Sequence, residues 1–134
     1  MVMHGLIYGV LISTLSATAL AGSGAEGIWK TEPNEEGGYL EITMGPCTAD
    51  ASKTCGVISS AHNGEGPNTG YEHLGKLMVK DMEPDGDNAF TDGTIWDPEA
   101  DKTYKSKMQA EGDKLRVDGC IAFFCSGQNW TRVQ

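Results

Sequence analysis

Thr103-Tyr104-Lys105-Ser106-Lys107-Met108-Gln109-Ala110-Glu111-Gly112-Asp113-Lys114-Leu115-Arg116-Val117-Asp118 is the stretch on which the fold turns. In its first half Tyr104, Ser106, Met108 and Ala110 oppose Thr103, Lys105, Lys107 and Gln109. In its second half Leu115 and Val117 oppose Lys114, Arg116 and Asp118. A period of two sends successive side chains to opposite faces of an extended chain, so each half predicts a strand with one dry and one wet face. Glu111-Gly112-Asp113 supplies the turn, because Gly takes positive φ freely and Asp caps its own backbone. Two alternating strands around such a turn make an antiparallel hairpin.

The pattern repeats outward from this hairpin. Leu40, Ile42 and Met44 share one face of the segment 39–44, with Glu41 and Thr43 on the other. Further strands are predicted over 27–31, 56–61, 76–82, 89–96 and 129–133. Turn chemistry separates them at 34–38, at Glu83-Pro84-Asp85-Gly86-Asp87 and at Asp97-Pro98-Glu99-Ala100-Asp101. The longest irregular stretch is 62–73. Past the N-terminal segment, no window carries a 3.6-residue apolar stripe. The expected fold class is therefore all-β: a small antiparallel meander of about eight strands that closes into a barrel, since closure removes the exposed edges.

The first residues serve transport, not the fold. From Leu6 to Leu20 the chain is apolar or small and has no ionisable group, too short a run to span a bilayer comfortably. It ends in Ala19-Leu20-Ala21, the small-x-small pattern cut by signal peptidase. A cleaved signal peptide is expected over 1–21 and a single β-barrel domain over 22–134, with a periplasmic or secreted destination. The mature chain is not expected to insert in a membrane. With 19 acidic and 10 basic side chains and a net charge of -9, it also lacks the clustered cations that nucleic acid requires.

Export gives the cysteines their meaning, because disulfides persist in an oxidising compartment. Four cysteines allow three pairings. Cys47 with Cys55 and Cys120 with Cys125 is the expected one, each pair bracketing a short segment suited to a strand turn. Their C-x7-C and C-x4-C spacings do not match the usual zinc arrangement, and no metal site is expected from them.

Gly27-Ile28-Trp29-Lys30-Thr31, Cys55-Gly56-Val57-Ile58, Gly93-Thr94-Ile95-Trp96-Asp97-Pro98, Leu115-Arg116-Val117-Asp118-Gly119-Cys120-Ile121 and Trp130-Thr131-Arg132-Val133 follow one another in an order with a precedent. In that order and spacing they resemble the bacterial family of small exported proteins called domain of unknown function 2147. The segment 59–74 departs from the family pattern and lacks its Asn-Pro element. A second resemblance is to the lipocalin and fatty-acid-binding barrels. It implies a lipocalin-like barrel in which Trp29 plugs the closed end and Arg132 lies across its indole as a structural partner.

Catalytic constellations are hard to assemble from this chain, and no catalytic residue is assigned. There is no G-x-S-x-G elbow, and Ser126 has no histidine near it in sequence. His62 and His73, with Glu65 and Glu72, suit a divalent metal by residue type but have no helix to fix them. The stretch from Asp85 to Asp92 fails the calcium-loop template, with Ala89 and Phe90 where an oxygen donor and a glycine belong. Asp92, Asp97 and Asp101 are the carboxylates an acid–base hydrolase would use. No cofactor is expected. Ile121-Ala122-Phe123-Phe124 is assigned to a core strand in preference to an apolar lip at the barrel mouth.

The leading expectation is an exported barrel that binds a small apolar or amphiphilic ligand or serves a structural role in the envelope. Tyr39, Trp96, Tyr104 and Phe124 are the candidate ligand-binding residues. The alternatives are a module that recruits a protein partner through its acidic surface and, third, a small hydrolase.

Overall fold

The computed structural model describes residues 24–134, so the segment read as a signal peptide lies outside the described residues. The described chain is all β. Its strands are β1 (Gly27–Lys30), β2 (Tyr39–Pro46), β3 (Thr54–Asn63), β4 (Gly66–Pro67), β5 (Leu77–Pro84), β6 (Ala89–Asp97), β7 (Lys102–Glu111), β8 (Lys114–Ile121) and β9 (Phe124–Arg132). Every pairing is antiparallel, and β1, β2, β3, β5, β6, β7, β8 and β9 follow one another around a ring. The ring closes where β1 meets β9, with Trp29 opposite Arg132. The two-residue β4 is an outlier paired only to the end of β3. This is the eight-stranded meander barrel that the alternation predicts.

Register defines two ends. Gly27 faces Met44, Thr54 faces Met82, Ala89 faces Gln109 and Lys114 faces Thr131, so these residues lie together at one end. That end is packed solid. Trp29, Ile42, Ile58, Val79, Met82 and Leu115 are fully buried there, with Met44, Phe90 and Met108 close around them. The inward residues are those the period-two reading placed inside: Met108 and Ala110 on β7, Leu115 and Val117 on β8, Ile42 and Met44 on β2.

Trp29 plugs this end. Its indole is 0% exposed and donates to the Ala25 carbonyl at 2.9 Å. The Arg132 guanidinium lies 4.3 Å from the ring centroid. Its Nη1 donates to the Glu26 carbonyl at 2.8 Å, and its Nη2 to the Gly24 carbonyl at 2.9 Å. The arginine thus ties the N-terminal turn and the last strand over the plug, and both residues serve the fold.

The disulfides have the expected pairing, and they staple opposite ends. Cys47–Cys55 closes the β2–β3 turn at the packed end. Cys120–Cys125 joins directly opposed residues of β8 and β9 near the other end. In entropic terms each closed loop contributes about 2–3 kcal/mol.

One expectation is overturned. Ile121 to Phe124 is not a core strand: it is the β8–β9 hairpin tip, with Ile121 66%, Phe123 103% and Phe124 78% exposed. Correspondingly, β9 begins at Phe124, five residues before the strand expected at 129. Apolar content suggested burial, but β9 stays paired to β8 all the way to the tip, leaving only Ala122 and Phe123 to reverse the chain. Ala122 does so at a φ of 55°, a conformation costly for a residue with a Cβ.

Gly127 explains how β9 lies so close to β8. A Cβ on Gly127 would run into the carbonyl oxygen of Val117 and approach the Cα of Asp118 at 2.7 Å. Backbone atoms yield poorly, so Gly127→Ala is expected to destabilise the barrel by roughly 1–3 kcal/mol, read as a lower urea midpoint at unchanged slope. A midpoint within experimental error of the parent would contradict this close approach.

Candidate functional site

Opposite the packed end, the barrel is open. Four connections surround the mouth: 31–38 between β1 and β2, 64–76 between β3 and β5, 98–101 between β6 and β7, and the β8–β9 hairpin. Beneath them lies a cavity of about 780 Å3. Its floor is Trp130, 1% exposed, and its walls include Leu40, Met78, Ile95 and Val117. Alternation explains which strand residues reach it. On β8 these are Val117, Gly119 and Ile121; on β9 they are Phe124, Ser126, Gln128 and Trp130, with Gly127 also reaching the lining.

The polar group nearest the floor is Gln128. Its Oε1 accepts from Trp130 Nε1 at 2.9 Å and from the Glu32 backbone N–H at 3.2 Å. The Glu32 carboxylate in turn accepts from the Asn129 N–H at 2.7 Å. These bonds tie the 31–38 connection to β9 and hold that side of the mouth in place.

All four residues singled out for ligand binding line this cavity, in two different ways. Tyr104 and Phe124 occupy inward strand positions. Tyr39 and Trp96 occupy outward strand positions at the rim and also make contacts outside the cavity, while Trp96 packs in part against the core. Tyr39 stacks on His62, with centroids 4.5 Å apart, and Lys30 Nζ lies 4.2 Å above its ring. Trp96 donates from Nε1 to Asp101 Oδ1 at 3.0 Å, and His73 meets its ring edge-on at 5.0 Å.

Among the cavity residues that sequence reading did not single out for binding are Gly119, Gln128, Trp130 and Tyr71. Extending β9 back to Phe124 would have exposed the run of alternate residues that carries Gln128 and Trp130. Tyr71 had no such signal, since it reaches the cavity from an irregular connection. Its phenol is pushed up, chiefly by burial and then by the charges of Glu99, Glu72 and Asp97. The neutral phenol is therefore favoured, and Tyr71 ionises later than a free tyrosine.

The candidate catalytic and metal groups do not converge. His62 Nε2 lies 3.7 Å from Glu41, and His73 Nε2 lies 3.4 Å from Glu72. Ser60, His62 and Glu41 form a cluster on the outer wall, but the hydroxyl donates to the Glu41 carboxylate at 3.0 Å. Both partners meet the imidazole at the same nitrogen, Nε2, whereas a nucleophilic triad places the carboxylate on the opposite ring nitrogen. Asp97 caps its own turn by accepting from the Glu99 and Ala100 N–H groups, Asp101 is bonded to Trp96, and Asp92 lies in the β6 bulge. Asp85 to Asn88 forms the β5–β6 turn, where the Asp85 N–H donates to the Ala89 carbonyl at 2.8 Å. Among the described residues, the one close group of three metal-ligand types is Cys47, Cys55 and Asp81, and its two sulfurs are joined to each other.

The electrostatics of the mouth are one-sided. The carboxylates among its described lining residues are Glu32, Glu36, Asp97 and Glu99, and those residues include no Lys or Arg.

Comparison with known proteins agrees with this architecture. The model of a family described as "uncharacterized protein conserved in bacteria (DUF2147)" matches residues 27–132. No curated protein matches the chain in sequence. Among solved structures, the chain is similar to protein HP1028 from the human pathogen Helicobacter pylori, described as belonging to the lipocalin family. The TM-score is 0.62 at 12% identity, over 84% of this chain and 85% of that one. At this identity the likeness is one of fold.

Proposed function

The chain belongs to the DUF2147 family of bacterial proteins, and from that premise we propose that it is an exported barrel that holds a small apolar or amphiphilic molecule in its open half. The observation that carries this reading is the division of the barrel into a solid half and a hollow half. An eight-stranded barrel of this size is either filled by side chains or keeps room for one ligand. Here filling stops at Trp130, and about 780 Å3 remains above it, within the range of small-molecule sites. The deeper walls carry Leu40, Met78, Ile95 and Val117, and the polar Gln128 beside the floor is fixed by two donors. Two disulfides and the apolar segment ending at Ala21 support an extracytoplasmic location.

Native mass spectrometry of the protein purified from its own periplasm tests this directly. The expected spectrum contains a species heavier than the disulfide-bonded chain by one small organic molecule. The neutral solvatochromic dye Nile red is expected to shift its emission to the blue and to saturate at one dye per chain. Bare chain mass together with a dye spectrum unchanged from water would sink the proposal.

A further inference from the structure

We infer that the cavity selects amphiphiles with a cationic head, an amine or quaternary ammonium on an apolar tail, and rejects anionic ones of the same length. This inference rests on the binding reading above and adds the charge of the ligand to it.

The argument begins with the order of strands. Around the mouth the four connections follow the ring as β1–β2, β3–β5, β6–β7 and β8–β9. The first and third are therefore on opposite sides. Glu32 and Glu36 lie on the first, Asp97 ends the strand that leads into the third and Glu99 lies on it, so these carboxylates stand on opposite sides of the opening. Between them the β8–β9 tip contributes Ile121 and Phe124, an apolar side along which a tail can lie.

Two of these carboxylates are committed to the fold. Glu32 holds the Asn129 N–H, and Asp97 caps its turn. Glu36 and Glu99 are exposed and enter no salt bridge among the described residues. Of the cations near the mouth, Lys30 lies over the Tyr39 ring, Lys76 lies 3.0 Å from His73 Nδ1, and Lys102 stands opposite Asp97 at the start of β7; none of the three lines the cavity. An anionic head in this mouth would meet like charges with no Lys or Arg among the described lining residues. A cationic head would meet carboxylates and the aromatic rings of Tyr71 and Tyr104, the combination that recognises ammonium groups. The Tyr71 phenol is pushed up chiefly by burial and then by the charges of Glu99, Glu72 and Asp97, so two of the mouth carboxylates act on a ring that lines the cavity.

Three surfactants of equal tail length provide the probe, each kept below its micellar concentration and competed against Nile red at pH 8. Dodecyltrimethylammonium is cationic, dodecyldimethylamine oxide is neutral at that pH, and dodecyl sulfate is anionic. The expected order of displacement is cationic, neutral, anionic, with about tenfold between the first two at low salt and a narrower gap in added salt. Glu36→Gln combined with Glu99→Gln should reduce that gap severalfold. Asp85→Asn with Asp87→Asn changes net charge equally on exposed residues of the β5–β6 turn at the packed end, and it should leave the gap unchanged.

Equal displacement by all three, or displacement led by dodecyl sulfate, overturns the charge preference and leaves the cavity reading intact. A preference that falls equally in both double variants also overturns it, because net charge and not the mouth would be responsible. Failure of every surfactant and of Nile red itself removes the cavity reading, and the charge preference with it.

Discussion

Substituting Gly119 with Phe is expected to abolish Nile red binding while the barrel stays folded. Gly119 occupies an inward position on β8, opposite Ser126. A Cβ built there points into the lumen and meets Tyr104 Cβ at 3.4 Å and Ile95 Cγ2 at 3.5 Å, ordinary contact distances. Neither its φ nor a backbone neighbour forbids a side chain, so the ring enters the cavity that a ligand would use. Removing glycine from a strand interior also offsets part of any packing cost. The expected result is at least about a tenfold loss of dye affinity, with the unfolding free energy in urea lowered by no more than about 1 kcal/mol. Full binding with the ring in place would show that the dye reports another surface.

Trp29→Ala is expected to have the largest effect on stability. The indole is fully buried at the packed end, and its removal leaves a void that Ile42, Met82 and Leu115 cannot all close. Large aromatic-to-alanine changes in such sites cost about 3–5 kcal/mol. A small domain has only about 5–15 kcal/mol of stability, so the variant approaches the unfolding threshold. The loss exceeds simple volume, because Arg132 also loses the ring beneath its guanidinium, an interaction worth about 0.5–2 kcal/mol. Far-ultraviolet circular dichroism in urea reads the change without relying on tryptophan emission. Trp29→Phe, which keeps a ring in the plug, should recover much of the loss. An unfolding free energy for Trp29→Ala within about 1 kcal/mol of the parent would refute the plug role.

The strands were legible because a half-buried barrel forces chemistry to alternate. Met108 and Ala110 on β7, with Lys105 and Lys107 opposing them, could satisfy water and core at once in one extended conformation only. The Trp29–Arg132 pair was legible through family resemblance, and its direct cross-strand register gives the physical basis. The β8–β9 tip misled for the opposite reason. Ile121 and Phe124 look like core residues, yet at the open end an inward position leads to the cavity and not to packed side chains. The candidate binding residues divide in the same register, with Tyr104 and Phe124 at inward strand positions and Tyr39 and Trp96 at outward positions on the rim.

Local patterns by themselves determined the all-β class, the meander, the inward faces and the acidic balance, because each depends on neighbours two residues apart or on composition alone. Only the tertiary structure decided where filling ends and hollow begins, since that depends on which strand ends meet around the ring. It alone brought Glu32 and Glu36 opposite Asp97 and Glu99, residues some sixty positions apart in the chain. No spacing in the sequence encodes that encounter; the closure of β1 on β9 does.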